Sequence, residues 1–480
     1  MRYSVVRYVQ GQILKIESAL LLVPFVTGVI YAEKAALAYL LVAAICLAAG
    51  CLLSIHKPAK LVLYAREGMV SVALAWVVLS VFGAVPFVLS RDIPSFTNAL
   101  FEIISGFTTT GASVVDQVET LSHASLMWRS FSHWVGGMGV IVFMLAIIPL
   151  ASGYNMQLMK AESPGPSVGK LVPHVKESAK ILYLIYIGLT AIQLILLLLA
   201  RMPLFDTLCM TFGTAGTGGF GIVSSSCGEY TMVQRNILTF FMIAFGVNFN
   251  AYFFLLGKEL KQVFKMEEVR WYLLIIAGST ALITWNIMGM FPSWQDALHH
   301  AAFQVASIIT TTGYSSVNFD MWPMFSKVIL VGLMFCGACA GSTGGGIKVS
   351  RIIILFKSVR VEMKHYIHPR SVSVMKVDGK AVDKSILRGV LVYLAAYVFL
   401  FGLSVLILAL DPSQSFTTDF TAVAATFNNI GPGLDAVGPA VSFNGLSVLS
   451  KFVLMFDMLA GRLELFPMLA LLSPSSWKRN

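Results

Sequence analysis

Long apolar runs, separated by short polar or glycine-rich stretches, recur from one end of the chain to the other. A transmembrane helix needs about 20 mostly apolar residues, and the first two such runs cover roughly 13–32 and 36–55. The first run is too long for the core of a signal peptide, and no small-residue cleavage site follows it, so we expect a permanent span. Because no polar stretch is long enough for a soluble domain, the pattern predicts an all-α polytopic membrane protein.

After these two runs, one arrangement recurs four times: a long apolar helix, a short helix, a turn and a second long helix. The turns cover Thr108–Ala112, Ala215–Gly219, Thr310–Tyr314 and Asn428–Pro432. The short helices are predicted over 95–107, 204–213, 294–308 and 416–427. At 1.5 Å per residue they reach roughly 15–23 Å, too short to cross a hydrocarbon core of about 30 Å, so we expect re-entrant segments.

Irregular backbone at membrane depth is tolerated only where protein buries it or where it lines water. Four such turns therefore predict a central pore, surrounded by four pseudo-repeated units of helix, pore loop and helix, with two extra helices in front. The predicted divisions are 1–66 for the amino-terminal helices, and 67–165, 166–266, 267–376 and 377–480 for the four repeats. This organisation amounts to ten full spans and four re-entrant loops.

Composition and charge agree with a membrane protein. The chain has 57% hydrophobic and 12% charged residues and a mean hydropathy of +0.79, whereas a soluble domain needs more charge to cover its surface. If the amino terminus is cytoplasmic, most of the 34 lysines and arginines fall in cytoplasmic segments, which is the positive-inside pattern. Topology thus explains the net charge of +10, and we expect no nucleic-acid partner.

The four turns have the composition that a path for a dehydrated cation requires. Rings of backbone carbonyls can replace the water around an ion such as potassium, and glycine accepts the unusual φ/ψ values that aim carbonyls inward. The key glycines are Gly111, Gly218, Gly313 and Gly431. One Thr-Gly turn is more often a tight loop or a packing site, but four in matching contexts favour a filter.

The candidate filter residues, whose backbone carbonyls would hold K⁺, are Thr109, Thr110, Gly111, Thr217, Gly218, Thr311, Thr312, Gly313, Asn429, Ile430 and Gly431. Glu102 lies in the first short helix, before this filter segment. We expect its carboxylate to brace the filter backbone from behind, and a direct cation site is the alternative.

A glycine-rich segment interrupts the last helix of the third repeat. Its five glycines would each cost about 1 kcal/mol in a helix interior, and apolar helices flank it on both sides. The pattern predicts an intramembrane loop that lines the conduction path, with a packing site for close helix approach as the alternative. The candidate residues along this part of the path, to which the family resemblance stated below gives the role of a gate, are Gly337, Gly341, Gly344, Gly345, Gly346, Lys348 and Arg462.

Arg462 lies inside the last apolar helix, where an arginine is costly unless it faces water or a counter-charge. Asp457 and Glu464 are the nearest acids in sequence, so a structural ion pair is one interpretation. The other places Arg462 in the pore beside the glycine-rich loop, where its charge would repel or regulate cations.

The chain resembles the Trk/Ktr/HKT superfamily of potassium transporters, and within it the TrkH type. The resemblance rests on GFTTTGAS (106–113), HWVGGMGVIVF (133–143), GTAGTGGFG (213–221), ITTTGYSS (309–316), AGSTGGGIK (340–348), NNIGPGL (428–434) and GRLELFP (461–467). It implies potassium selectivity, because all four filter positions are glycine, and a gate formed by the glycine-rich loop and Arg462. It also implies a homodimer in the bacterial cytoplasmic membrane and a cytosolic nucleotide-binding regulatory subunit of the TrkA type.

Other functions fit the sequence less well. Gly216 to Gly221 matches GxGxxG, but no strand precedes it, so a dinucleotide site is not expected. We predict neither an enzyme nor a bound cofactor. The main alternative is a carrier coupled to Na⁺ or H⁺ that alternates access around a midplane site. Carriers tend to show two related halves, whereas this chain shows four similar loops.

Overall fold

The computed structural model describes residues 1–58, 64–139, 175–370 and 374–478, and almost all regular structure in these ranges is helical. The α-helices span Tyr3–Leu20, Leu22–Ile30, Ala35–Ser54, Ala65–Ser90, Phe96–Phe107, His123–Gly137, Val175–Leu199, Leu204–Gly216, Met232–Phe245, Phe249–Leu256, Leu260–Lys265, Glu267–Ile287, Trp294–Ile309, Met324–Cys336, Val349–Ile367, Lys384–Leu408, Phe416–Phe427, Val448–Arg462, Phe466–Leu472 and Pro474–Trp477. Short 3₁₀ helices span Val118–Thr120, Met288–Met290, Phe319–Met321, Asp435–Val437 and Phe443–Gly445. Two-residue strands, Lys376–Val377 and Lys380–Ala381, pair antiparallel.

After the amino-terminal helices, a long helix, a short helix and a third helix follow one another four times. We call these sets units 1 to 4, and we call the chain after each short helix turn 1 to turn 4. The short helices are Phe96–Phe107, Leu204–Gly216, Trp294–Ile309 and Phe416–Phe427. The third helices are His123–Gly137, Met232–Phe245, Met324–Cys336 and Val448–Arg462. The end of the predicted first repeat, 140–165, lies outside the described residues.

The short helices begin within one residue of their predicted starts and end within three residues of their predicted ends. Serine caps explain two of the starts: Ser293 Oγ accepts from the Asp296 N–H at 3.1 Å, and Ser415 Oγ accepts from the Thr418 N–H at 3.1 Å. Such caps satisfy backbone donors that the first helical turn leaves unpaired. All four short helices are largely buried, as expected for helices surrounded by the rest of the protein.

The third helices are shorter than the sequence pattern predicts. Among the described residues, six helices are long and apolar enough to cross a membrane, or seven if Met232–Phe245 and Phe249–Leu256, bent by 93°, form one span. Each third helix has 13–15 residues. The predicted break in unit 3 is present, but units 2 and 4 are also interrupted, after Phe245 and after Arg462.

Glycines explain how the ends of the third helices come so close to the short helices. A Cβ on Gly136 would lie 1.9 Å from the Phe107 oxygen, and a Cβ on Gly461 would lie 2.1 Å from the Phe427 oxygen. In units 1 and 4, the third helix therefore crosses the carbonyl end of its own short helix with backbone against backbone. Only glycine permits this approach, and it determines where the turns are held.

Packing between units closes into a ring. The short helices of units 2, 3 and 4 each pack against the third helix of the preceding unit, and the short helix of unit 1 packs against the third helix of unit 4. The amino-terminal helices lie outside this ring, against the first and third helices of unit 1. The four turns are consequently brought together at the centre.

Close contact between Gly11 and Gly50 joins the two amino-terminal spans. A Cβ on Gly11 would lie 2.9 Å from the Gly50 oxygen and 3.0 Å from the Ser54 nitrogen. Gly11→Ala should therefore push these helices apart and lower the free energy of unfolding by about 1–3 kcal/mol. Thermal unfolding of the purified protein in detergent would measure the loss.

Gly278→Ala is the matched control, because a Cβ there meets no atom within 4 Å. Alanine is also the better helix former, so this variant should be neutral or slightly stabilised. Equal unfolding temperatures for the two variants would contradict the role assigned to the Gly11–Gly50 contact.

Candidate functional site

The four turns share one unusual backbone conformation. Each contains two residues with positive φ, separated by a single residue: Thr109 and Gly111, Thr217 and Gly219, Thr311 and Gly313, and Asn429 and Gly431. The N–H of the residue between them donates to a carbonyl in the short helix at 2.8–2.9 Å in all four turns. These middle residues are Thr110, Gly218, Thr312 and Ile430.

This backbone pattern corrects the register of turn 2. The sequence comparison paired Gly218 with Gly111, but Gly219 has the positive φ, at 77°, that matches the 79° of Gly111. Gly218 instead occupies the middle position, where turns 1 and 3 carry threonine. The error arose because two adjacent glycines, Gly218 and Gly219, offered equally good matches in sequence.

A closed ring of contacts links the turns. A Cβ on Gly111 would lie 2.0 Å from the Gly218 oxygen, and one on Gly219 would lie 1.8 Å from the Thr312 oxygen. A Cβ on Gly313 would lie 1.9 Å from the Ile430 oxygen, and one on Gly431 would lie 2.7 Å from the Thr110 oxygen. Each glycine thus faces the middle carbonyl of the next turn, and the last turn returns to the first.

Threonine hydroxyls brace turns 1 and 3 in the same way. Thr108 and Thr110 share a hydroxyl–hydroxyl hydrogen bond of 2.8 Å, and so do Thr310 and Thr312. Turn 4 has asparagines instead. The Asn429 side chain donates to Thr110 Oγ1 at 3.0 Å and to the Met458 oxygen at 2.9 Å, which ties turn 4 to turn 1 and to the third helix of unit 4.

Behind turns 1 and 2 lies a buried ion pair of Glu102 with Arg129. Arg129 Nε donates to Glu102 Oε1 at 2.7 Å, and neither side chain is more than 2% exposed. Glu102 also accepts from the Val114 N–H at 2.9 Å, while Arg129 donates to the Gly221 oxygen at 3.1 Å. The pair therefore fixes the chain just beyond both turns, where the sequence predicted a bracing role for Glu102. Arg129 was missed, although an arginine within an apolar helix was a usable signal.

His133 explains why turn 2 lacks a side chain at its middle position. Its Nδ1 donates to the Gly106 oxygen at 2.7 Å, and its Nε2 accepts from the Phe220 N–H at 3.3 Å, so one neutral tautomer satisfies both bonds. A Cβ on Gly218 would lie 2.2 Å from the imidazole ring. The ring occupies the space that a threonine would need.

The glycine-rich loop between Cys336 and Val349 lies directly against turns 3 and 4. The Gly345 N–H donates to Thr311 Oγ1 at 2.7 Å. A Cβ on Gly344 would lie 2.9 Å from the Thr310 oxygen, and one on Gly345 would lie 2.4 Å from the Asn428 oxygen. The loop therefore covers the side of the turns that faces the ends of the short helices.

Contacts from units 2 and 3 hold this loop in place. The buried carboxylate of Glu268 accepts from the Ala340 N–H at 2.6 Å and from the Ser350 N–H at 3.1 Å. The Cys339 N–H donates to the Gly246 oxygen at 3.1 Å, at the bend of unit 2. The sequence gave little warning of Glu268, because an acidic residue in the first turn of a helix is common as a favourable end charge.

Arg462 connects the loop to unit 1. Its Nη1 donates to the Thr343 oxygen at 2.8 Å, and its Nη2 donates to the Gly137 oxygen at 2.7 Å. Glu464 is paired with Arg351, and Asp457 accepts from Ser404 Oγ at 2.8 Å. Those two acids thus have other partners, and the structure brings Arg462 to the loop.

Lys348 ends the loop and is buried within it. It has a positive φ of 79°, and its Nζ donates to the Gly344 oxygen. Arg351, whose Nη1 donates to the Ile347 oxygen at 3.1 Å, and Arg462, which donates to the Thr343 oxygen, also bind backbone carbonyls of the loop.

On the opposite side of the turns, an open cavity of about 120 Å³ is lined by residues of all four turns and by Asp116. The carboxylate of Glu119 lies near its rim and accepts from the Ser224 N–H at 2.5 Å and from Ser224 Oγ at 2.6 Å. These two hydrogen bonds lower the pKa of Glu119, so it is ionised at neutral pH. Carboxylates at a narrow mouth raise the local concentration of cations.

Comparison with known proteins shows the family of this chain. The family described as "TrkH: Cation transport protein" matches residues 34–479. The Trk system potassium uptake protein TrkH of Salmonella typhimurium is 36% identical, with all of both chains covered. TrkG of Escherichia coli, also called a Trk system potassium uptake protein, is 32% identical over 99% of this chain and 98% of its own.

Among solved structures, the crystal structure of the potassium transporter TrkH from Vibrio parahaemolyticus matches with a TM-score of 0.89. It is 33% identical, and the match covers all of both chains. The family match, the full-length relatives and the apolar helices together lead to one conclusion: the chain is a multi-pass membrane protein that belongs to the TrkH family of cation transport proteins.

Proposed function

We propose that this protein is a potassium-selective uptake channel, whose pore is surrounded by four pseudo-repeated units behind two extra amino-terminal helices. The closed ring of middle carbonyls carries the proposal, because carbonyl rings are what a dehydrated cation needs. The names of its relatives, potassium uptake proteins, support the choice of ion. The filter consists of turns 1 to 4, and the carbonyls of the sequence-predicted residues together with Gly219 hold K⁺.

Selectivity in this proposal depends on the absence of side chains at Gly111, Gly219, Gly313 and Gly431. Each hypothetical Cβ falls within 2.7 Å of a ring carbonyl, so any larger residue would displace an oxygen that contacts the ion. Glu102 and Arg129 act indirectly, since they fix the backbone beyond the filter and do not contact the ion.

The glycine-rich loop with Arg462 acts as the gate. The loop closes the path beneath turns 3 and 4, and Arg462 ties it to unit 1 across that path. The positive charge of Arg462 opposes the passage of a cation. Opening requires that the bonds from Arg462 and Gly345 break.

A cytosolic TrkA-type subunit, bound to a homodimer of this chain in the bacterial inner membrane, would control that opening. The helix Val349–Ile367 begins at the end of the loop, and carries Lys357, Arg360 and Lys364. A partner that moves this basic helix would pull on the loop directly. If this basic helix faces the cytosol, the amino terminus lies in the cytoplasm as well, as the positive-inside pattern predicts.

Gly111→Ser tests the filter. The serine Cβ would displace the Gly218 carbonyl, so the ratio of sodium to potassium permeability should rise by about tenfold or more, equivalent to ~1.4 kcal/mol. Reversal potentials in planar bilayers with mixed salts would measure the ratio, and unitary currents in the same recordings would separate a channel from a carrier. Gly332→Ser is the control, because a Cβ there meets no atom within 4 Å. An unchanged ratio for Gly111→Ser would refute the filter assignment.

Arg462→Ala tests the gate. It removes the bonds to Thr343 and Gly137 together with a charge beside the path. One unit charge about 5 Å from a cation costs roughly 3 kcal/mol at an effective dielectric near 20, so potassium flux into liposomes without a regulatory subunit should rise by up to about a hundredfold. Arg462→Lys keeps the charge but not the fork of donors, and should give a smaller increase. A destabilised variant with no gain in flux would argue against a gating role.

Glu102→Gln tests the brace. Because it leaves the Arg129 charge buried without its partner, it should lower the free energy of unfolding by about 3–5 kcal/mol and weaken potassium selectivity. Thermal unfolding and reversal potentials would show both effects. Lys327→Met is the control, since its pair with Asp320 is partly exposed and worth less than about 1 kcal/mol. Equal losses of stability in the two variants would contradict the bracing role.

A further inference from the structure

Four side-chain oxygens stand at one equivalent position, the first positive-φ residue of each turn, and they have unequal partners. Thr311 Oγ1 accepts from the Gly345 N–H of the loop at 2.7 Å, and Thr217 Oγ1 donates to the Gly216 oxygen at 2.6 Å. Thr109 Oγ1 and Asn429 Oδ1 are fully buried, yet neither has a hydrogen-bond partner among the described residues. Buried oxygens without a partner are rare and require an explanation.

The loop lies where the oxygens of turns 3 and 4 converge. A Cβ on Gly345 would be 3.0 Å from Asn429 Cβ and 3.2 Å from Asn429 Oδ1, while its N–H points at Thr311 Oγ1. A peptide N–H is an electropositive group that approaches an oxygen at hydrogen-bond distance. In the closed state it therefore stands where a cation leaving the carbonyl ring would find its next oxygens.

From this arrangement we infer that the side-chain oxygens of Thr311 and Asn429 form an inner monovalent-cation site, for which the Gly345 N–H of the loop and the ion compete. This inference rests on the proposed function. The closed loop occupies the Thr311 oxygen and fills the space beside Asn429. An ion in the site displaces the loop, and by linkage an open loop increases the affinity of the site for the ion.

The competition makes opening of the loop depend on potassium. Cys339 reports on the loop, because its thiol is fully buried and becomes accessible only when the loop moves. Cys227 is equally buried, near turn 3 but away from the loop, and reports on general unfolding. The experiment measures maleimide labelling of both thiols by mass spectrometry, in the full chain in lipid nanodiscs without a regulatory subunit, in potassium chloride or N-methylglucamine chloride of equal ionic strength.

Potassium should accelerate the labelling of Cys339, but not of Cys227, in the wild-type protein and in Thr311→Ser, which retains the hydroxyl. Thr311→Val has a similar shape but no acceptor, so its Cys339 should label roughly fivefold faster in N-methylglucamine, the effect of one lost hydrogen bond, and respond little to potassium. The inference is overturned if the labelling rate of Cys339 in the wild-type protein does not change with potassium, or rises only in parallel with that of Cys227.

Potassium flux into liposomes, measured on the same preparation, separates this inference from the proposed function. If potassium flux is present but labelling of Cys339 does not depend on potassium, the proposed competition is wrong and the proposed channel function is retained. Potassium-dependent labelling of Cys339 without any flux would support the inner site and contradict the proposed channel function. The wild-type comparison and Thr311→Ser keep the test decisive if Thr311→Val does not fold.

Discussion

Contact between bare peptide backbones, made at glycines, determines the rest of this structure. At the turns, Gly111, Gly219 and Gly313 each bring the backbone of one unit so close to a neighbouring carbonyl that a single methyl group would overlap it. At the third helices, Gly136 and Gly461 do the same against the ends of short helices. These contacts leave little room for adjustment, because protein interiors respond to added volume by shifting neighbouring groups. The ring of carbonyls is consequently positioned by sterics before any side chain contributes.

The four units fulfil this constraint with different side chains. Turns 1 and 3 use pairs of threonine hydroxyls, turn 2 leaves space for His133, and turn 4 uses Asn429 to reach across to turn 1. The backbone is therefore repeated more faithfully than the sequence. A substitution at one turn is not equivalent to the same substitution at another, since the neighbours that surround the four positions differ.

Much of this arrangement could be predicted from sequence where one local property dominated. The short helices had apolar periodicity, starting signals and following turns, and the break in unit 3 had five glycines. The interruptions in units 2 and 4 could not be predicted, because Gly246 and Gly461 are single glycines whose effect depends on a neighbour distant in sequence. The bonds of His133 to Gly106 and of Glu268 to Ala340 likewise join segments that are distant in sequence, whereas Arg129, an arginine within an apolar helix, had a usable signal that was missed. The turn 2 register failed because Gly218 and Gly219 are locally indistinguishable.

The glycine-rich loop has a thermal consequence. The loop is held by a few directional hydrogen bonds, which Glu268 and Thr311 accept and Arg462 donates, and these bonds contribute enthalpy. Glycine backbone gains more conformational freedom on release than any other residue, at about 1–2 kcal/mol per residue near room temperature. In the gate proposed above, closure of the loop is thus opposed by chain entropy, and the balance between the proposed closed and open states would shift toward opening as temperature rises. A side chain in place of Gly341, which has a positive φ of 69°, would alter that balance as well as the local geometry.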